Sequence, residues 1–183
     1  MESLAGHLLI ASPQLEDPNF ARAVVLLIHH NAEGAFGVVL NRPSDSTVKE
    51  LWKEVAQTPC ESDRHIHLGG PVSGPLIALH TDRALAEVEI LPGLFFAAQR
   101  ENLQRLIARE EAVFRLFVGH SGWGERQLER ELEGGSWLTT PATVELVFYN
   151  EGDLWKRTAQ QVGEALLLQT LKLKQIPPDA SLN

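Results

Sequence analysis

The chain has 183 residues, of which 44% are hydrophobic and 22% charged, close to the averages for soluble globular proteins. That excludes a disordered or collagen-like chain, and the length corresponds to about one domain. Sixteen Lys and Arg against 24 Asp and Glu leave a net charge of −8, which argues against general binding to nucleic acid or to anionic membranes.

A single cysteine, Cys60, excludes an intrachain disulfide and fits a reducing compartment. The N-terminus has no basic segment, and its apolar run Leu8–Ala11 is too short for a secretion signal. The longest apolar run, Ala23–Ile28, falls far below the roughly 20 residues that span a bilayer. A cytoplasmic protein without a membrane partner is expected.

In chain order, Leu8–Ile10 reads as a strand, followed by the unbroken apolar run Ala23–Ile28, which suits a strand buried on both faces. His29 to Gly34 reads as an exposed hairpin loop, and Ala35–Leu40 as the returning strand. Asn41-Arg42-Pro43 ends it. Thr47 and Glu50 have the spacing of a capping box, and Val48, Leu51, Trp52 and Val55 predict a helix over about 48–56 with one apolar stripe. Strands are expected at His65–Leu68, Leu76–His80, Ala86–Ile90 and Leu94–Ala97, punctuated by Gly-Pro turns. A helix is expected at about 100–110, a strand at Val113–Val118, a turn at Gly119–Gly124 opening a helix at Glu125–Glu133, and a last strand at Thr143–Phe148. Asp153 caps a C-terminal helix. Within it, Ala165–Leu173 is apolar around so much of its circumference that it must enter the core or meet a partner subunit, and the core is the preferred reading. The pattern predicts a single α+β domain over residues 1–176, built on a curled, mixed, largely antiparallel sheet flanked by helices, with residues 177–183 as a mobile tail.

Few residues suggest chemistry. Gly119-His120-Ser121-Gly122-Trp123 comes close to the nucleophile elbow G-x-S-x-G, but Trp123 stands where the second glycine belongs, and no histidine follows His120. Ser121 with His80 is therefore a weak catalytic pair. The same turn could hold a small anion on its amides, although Glu125 already brings a carboxylate there. His65, His67 and His80 could meet around a metal, but no ligand motif accompanies them, and neither a metal nor a cofactor is expected. Glu125, Glu129 and Glu133 form an acidic ridge beside Arg126 and Arg130, read as a solvated helix face.

Several stretches, taken in order, resemble the YqgE/AlgH family of bacterial proteins: Gly6-His7-Leu8-Leu9-Ile10-Ala11-Ser12-Pro13, Gly34-Ala35-Phe36-Gly37 through Asn41-Arg42-Pro43, Gly69-Gly70-Pro71-Val72, Leu79-His80, Gly119-His120-Ser121-Gly122-Trp123, and Gln127, Glu131 and Trp137. The resemblance spans about Leu4 to Gly163. This chain departs from it at His120, where the family usually has Tyr, and at Arg126, where it often has Gly. The resemblance implies a single α+β domain of unestablished activity, one branch of which carries the label of transcriptional regulator.

Three functional readings follow. The first is a non-enzymatic binding or regulatory protein that recognises a small molecule or protein partner. Its groove would be lined by Asn41, Arg42, Gly69, Gly70, His80, Ser121, Trp123 and Gln127; the Asn-Arg-Pro, Gly-Gly-Pro and Gly-x-Ser-Gly-Trp motifs among them fall in turns at strand ends, where function concentrates. The second is a serine hydrolase using Ser121 and His80. The third is a DNA-associated regulator acting through Arg42, Arg64 or Arg83. It ranks last because the chain is acidic and shows no helix-turn-helix. The sequence does not fix the subunit count.

Overall fold

A segment apolar at every position must be covered on both faces, and Val24 to Ile28 is buried throughout. The computed structural model describes residues 2–56, 60–148 and 153–174, with side chains through Leu168. Its elements in chain order are β1 (His7–Ala11), β2 (Val24–Asn31), β3 (Gly34–Val39), β4 (Pro43–Thr47), α1 (Val48–Ala56), β5 (His65–Leu68) and β6 (Ile77–His80). After a 3-10 turn at Arg83–Leu85 come β7 (Val88–Leu91), β8 (Leu94–Ala97), α2 (Arg100–Ile107), β9 (Phe114–Val118) and β10 (Ser121–Trp123). The chain continues with α3 (Gln127–Glu133), β11 (Trp137–Pro141), α4 (Val144–Phe148) and α5 (Leu154–Lys174).

The largely antiparallel architecture is present, divided into two sheets. The first has the order β10-β3-β2-β1-β11 and is antiparallel throughout. The second has the order β4-β5-β9-β6-β8-β7, with β5 and β9 its one parallel pair. Alternation along the strands sorts their side chains into layers. Leu8, Val24, Leu26 and Val38 of the first sheet meet Ile77, Leu79, Leu94 and Phe117 of the second. Leu9, Val25, Leu27 and Val39 pack outward on Trp123, Leu128 and Trp137. The outer face of the second sheet, with Ile66, Ala78 and Leu116, is covered by Val48 and Trp52 of α1 and by Leu103 and Leu106 of α2.

The α1 helix forms as its sequence dictates. Thr47 N–H donates to Glu50 Oε2 (2.9 Å) and Glu50 N–H to Thr47 Oγ1 (3.3 Å), closing the capping box. Val55, on the expected stripe, is instead 49% exposed, because Val48, Trp52 and Ala56 carry the buried face.

Elsewhere the structure corrects the reading. β2 runs on through Asn31, so the hairpin loop shrinks to Ala32-Glu33, and a register shift between Leu27 and His29 absorbs the change. The expected strand at Thr143–Phe148 is the short helix α4, started by the Thr143 hydroxyl accepting from Leu146 N–H (3.2 Å). Its β-branched and aromatic residues suit a strand locally, but Val147 is buried from a helix. The segment Gly119–Gly124 does not turn directly into a helix. It forms β10 first, and α3 begins at Gln127. Leu166, Leu167 and Leu168 of α5 are exposed rather than in the core. The tail expected at 177–183 lies outside the described residues.

Candidate functional site

The chain crosses from the first sheet to the second between β3 and β4, and back again between β9 and β10. The two crossings are stitched to the end of β5. Val39 N–H donates to Gly69 O (2.9 Å), Leu68 N–H to Arg42 O (2.8 Å), and Gly69 N–H to Val118 O (2.8 Å). Backbones this close leave no room for side chains. A Cβ at Gly69 would meet the Gly119 carbonyl oxygen, and one at Gly70 (φ +149°) would meet His120 O and Ser121 Oγ. Ser121 is fully buried at this seam, and its hydroxyl donates to Gly69 O at 3.1 Å. Asn41 secures the first crossing: its Oδ1 accepts from Val24 N–H (2.9 Å) and its Nδ2 donates to Arg22 O (2.8 Å). Arg42 Nη2 donates to Ala21 O at 2.8 Å.

On the outer side of the seam the second sheet is left bare. Leu68 and Val118 are register partners across β5 and β9, and Val72 bridges to His120. They are 50%, 37% and 43% exposed.

Trp123 and Gln127 belong to a polar knot next to the seam. Glu131 Oε2 accepts from Trp123 Nε1 (2.9 Å) and from Trp137 Nε1 (2.8 Å), while its Oε1 accepts from Gln127 Nε2 (3.0 Å). Gln127 Oε1 in turn accepts from Gly124 N–H (3.1 Å). Phe20 stacks on Trp123 at 6.0 Å and meets Trp137 edge-on at 5.5 Å. This knot holds β10, α3 and β11 together. The residue before Gln127, Arg126, has φ +56°, the left-handed region that favours glycine.

Seven of the eight expected site residues thus follow one line, from the β3–β4 crossing through the end of β5 and β10 to the start of α3. His80 does not join them. It pairs with Phe114 at the start of β9, whereas Ser121 lies beyond the end of β9 at Val118. Four residues of strand separate those ends, roughly 13 Å. The Ser121 hydroxyl is bonded to a carbonyl oxygen, not to an imidazole. His80 is fully buried beside Phe95, and burial holds its pKa below the ordinary histidine value against the pull of Asp82 and Glu87.

The three histidines weighed as metal ligands are not brought together. His65 is exposed, with Nδ1 against Ser44 O (3.0 Å). Burial, reinforced by Arg115 and His65, lowers the pKa of His67 to about 4. Among the described residues, no group of three His, Cys, Asp or Glu is placed to hold a metal.

Sequence reasoning missed the contact between His30 and Glu129. His30, expected in an exposed loop, is buried on β2. Its Nδ1 accepts from Leu4 N–H (2.9 Å), so Nε2 carries the proton and donates to Glu129 Oε1 (2.9 Å). That hydrogen bond holds the Glu129 carboxyl below its ordinary pKa. The acidic ridge of α3 is therefore partly docked rather than wholly solvated. A cavity of about 730 Å³ lies between α1 and the end of α2, and none of the eight expected residues lines it.

These motifs and this fold have relatives. The AlgH-like family pattern matches residues 8–167. The chain belongs to the AlgH-like family. A UPF0301 protein of Myxococcus xanthus is 39% identical over 168 residues, covering 89% of this chain and 93% of its own. A UPF0301 protein of Chlorobaculum tepidum is 40% identical over 165 residues, covering 86% of each. Among solved structures, the solution structure of AlgH from Pseudomonas aeruginosa superposes with a TM-score of 0.72 at 31% identity, covering 86% of this chain and 87% of that one. A crystal structure of a Corynebacterium diphtheriae protein gives 0.71 at 25% identity, covering 88% and 87%. Of the motifs that carry the resemblance, Asn41-Arg42-Pro43, Gly69-Gly70 and Gly119–Gly122 fall at the sheet crossings and Trp123, Gln127, Glu131 and Trp137 in the Glu131 knot, whereas Gly6–Pro13 runs along β1 and Leu79-His80 ends β6.

Proposed function

We propose that this AlgH-like chain is a non-enzymatic binding protein of the cytoplasm, which recognises a protein partner through the outer surface of the seam. The observation that carries this reading is the exposure of Leu68, Val72 and Val118 together at the sheet crossings. Exposed apolar side chains gathered on a rigid framework suit a protein contact. The motif residues beneath them, Asn41, Arg42, Gly69, Gly70 and Ser121, fix the shape of that surface. A regulatory role would run through protein contact, since the chain carries a net charge of −8.

The test is a photo-crosslinking residue at position 72 in cells that make the protein. One dominant protein adduct is expected, lost in Leu68→Asp and Val118→Asp variants that keep the wild-type melting temperature. No adduct, or one indifferent to those variants, overturns the reading. The hydrolase reading is separated by a fluorophosphonate probe: labelling that Ser121→Ala abolishes would restore it, and none is expected, because the hydroxyl is buried and bonded to Gly69 O.

A further inference from the structure

The apolar side chains left in water are not scattered. Leu68, Val72 and Val118 gather on the seam, and Leu166, Leu167 and Leu168 follow one another on α5, at 50%, 65% and 59% exposure. Among the described residues, the only other large exposed hydrophobics are Val55 and Val88.

The α5 helix begins against the body and then leaves it. Leu154 and Thr158 are buried, and Trp155 Nε1 donates to Ala11 O at 2.7 Å. From Glu164 through Leu168 every residue is exposed, while the helix runs on to Lys174. Residues 164–174 thus form an arm about 16 Å long. Its leucines have two ways of leaving water, the core or a partner subunit, and the core is closed without them.

The root of the arm and the seam share one corner of the fold. Arg22 lies 5.5 Å over the Trp155 ring. Arg22 O accepts from Asn41 Nδ2, Ala21 O from Arg42 Nη2, and Arg42 O from Leu68 N–H.

Charge and area both favour a second copy as the occupant. Two chains of net charge −8 repel, so they can meet only where neither carries charge. No Asp, Glu, Lys or Arg occurs from His65 to Thr81, from Leu116 to Gly124, or from Ala165 to Leu168. At about 100 Å² for a fully exposed apolar side chain, the six half-exposed residues offer about 300 Å² where one arm meets one seam. A stable interface needs about 700 Å² of apolar area, so one contact falls well short. Two reciprocal contacts give about 600 Å², close to that requirement.

We propose that two copies of this chain pair by exchanging arms, the α5 arm of each lying on the seam of the other. The inference rests on the seam being a protein-binding surface and names its partner as a second copy.

The full chain is the material of the test. Sedimentation equilibrium is expected to show a monomer–dimer equilibrium. A photo-crosslinking residue at position 167 should give an adduct of twice the chain mass, linked to 68–76 or 118–122 of the second copy. Leu167→Asp with Leu168→Asp, and separately Leu68→Asp with Val118→Asp, should each weaken pairing about tenfold or more. Val88→Asp, on β7 and 46% exposed, should leave it unchanged. A mixture of the arm and seam variants retains one intact contact of the two, and should pair more tightly than either variant alone. Leu167→Ser and Val72→Asp replace any double variant that lowers the melting temperature.

A monomer at every concentration overturns the proposal. So does a dimer lost in only one of the double variants, which marks arm-to-arm or seam-to-seam pairing. An adduct of position 167 within a single chain, or a mixture no tighter than its components, overturns it as well. A position-72 adduct to a different protein, with the purified chain monomeric, overturns arm exchange and leaves the seam a partner surface. No adduct at position 72 overturns both.

Discussion

The hydroxyl of Ser121 donates to the carbonyl oxygen of Gly69 at 3.1 Å, joining residues 52 positions apart at the point where the chain changes sheets. This one bond turns a residue that looks like a nucleophile into a strut. Ser121→Ala should lower stability by about 0.5–1.5 kcal/mol, the net value of a typical hydrogen bond, since Gly69 O keeps its bond from Val39 N–H. Urea denaturation measures it. A loss below about 0.3 kcal/mol would show that the hydroxyl is not holding the seam.

Gly70→Ala should be far worse. The residue sits at φ +149°, and its new methyl group would meet His120 O and Ser121 Oγ. A loss of about 3 kcal/mol or more is expected from strained backbone and steric overlap together. The same measurement decides it, with a cooperative wild-type-like transition as the opposing result.

Glu131 receives two indole N–H groups and a side-chain amide. Glu131→Ala leaves those donors without their acceptor and should cost about 3 kcal/mol, with altered tryptophan fluorescence from Trp123 and Trp137. Glu131→Gln keeps an acceptor oxygen but loses the charge, and should cost about half as much. Equal losses for the two variants would mean that packing, not hydrogen bonding, dominates the knot.

His67 and His80 both have pKa values lowered first by burial. Both are neutral in the folded protein, while the unfolded chain takes up protons near pH 6.5. The unfolded state therefore binds more protons below that value. Stability from each ring is complete above pH 6.5 and falls with pH, for His67 down to about 4. Each contributes a slope of at most about 1.4 kcal/mol per pH unit. Urea midpoints between pH 7.5 and 4.5 should fall accordingly, and His67→Gln should flatten the curve. An unchanged slope in that variant would mean His67 titrates normally.

Arg126 holds a left-handed conformation at the start of α3, with φ +56°. The family resemblance implies glycine at this position, which suits this backbone conformation. Arg126→Gly should raise stability by about 0.5–1 kcal/mol, the relief of left-handed strain exceeding the added freedom of the unfolded chain. A destabilised variant would show that the arginine side chain compensates elsewhere.

Local chemistry was legible wherever it acts within a few residues. The Thr47/Glu50 box and the periodicity behind it place α1 within its observed limits, because both ends of each bond lie in one turn. β4 and β11 escaped notice, since Pro43–Thr47 and Trp137–Pro141 carry mostly polar or mixed side chains and gain strand structure from neighbours. α4 was misread for the opposite reason, its local preference being overruled by the core that Val147 enters.

The sequence by itself determined the class of fold, the buried central strands and the family, because alternation, turns and motif order are properties of neighbouring residues. Only the tertiary structure decided what the motif residues do. Ser121 meets Gly69, Glu131 meets two tryptophans, and His80 stands away from both. Each of these outcomes depends on which distant strands pair and in what register, and side chains read one at a time along the chain carry no record of that distance.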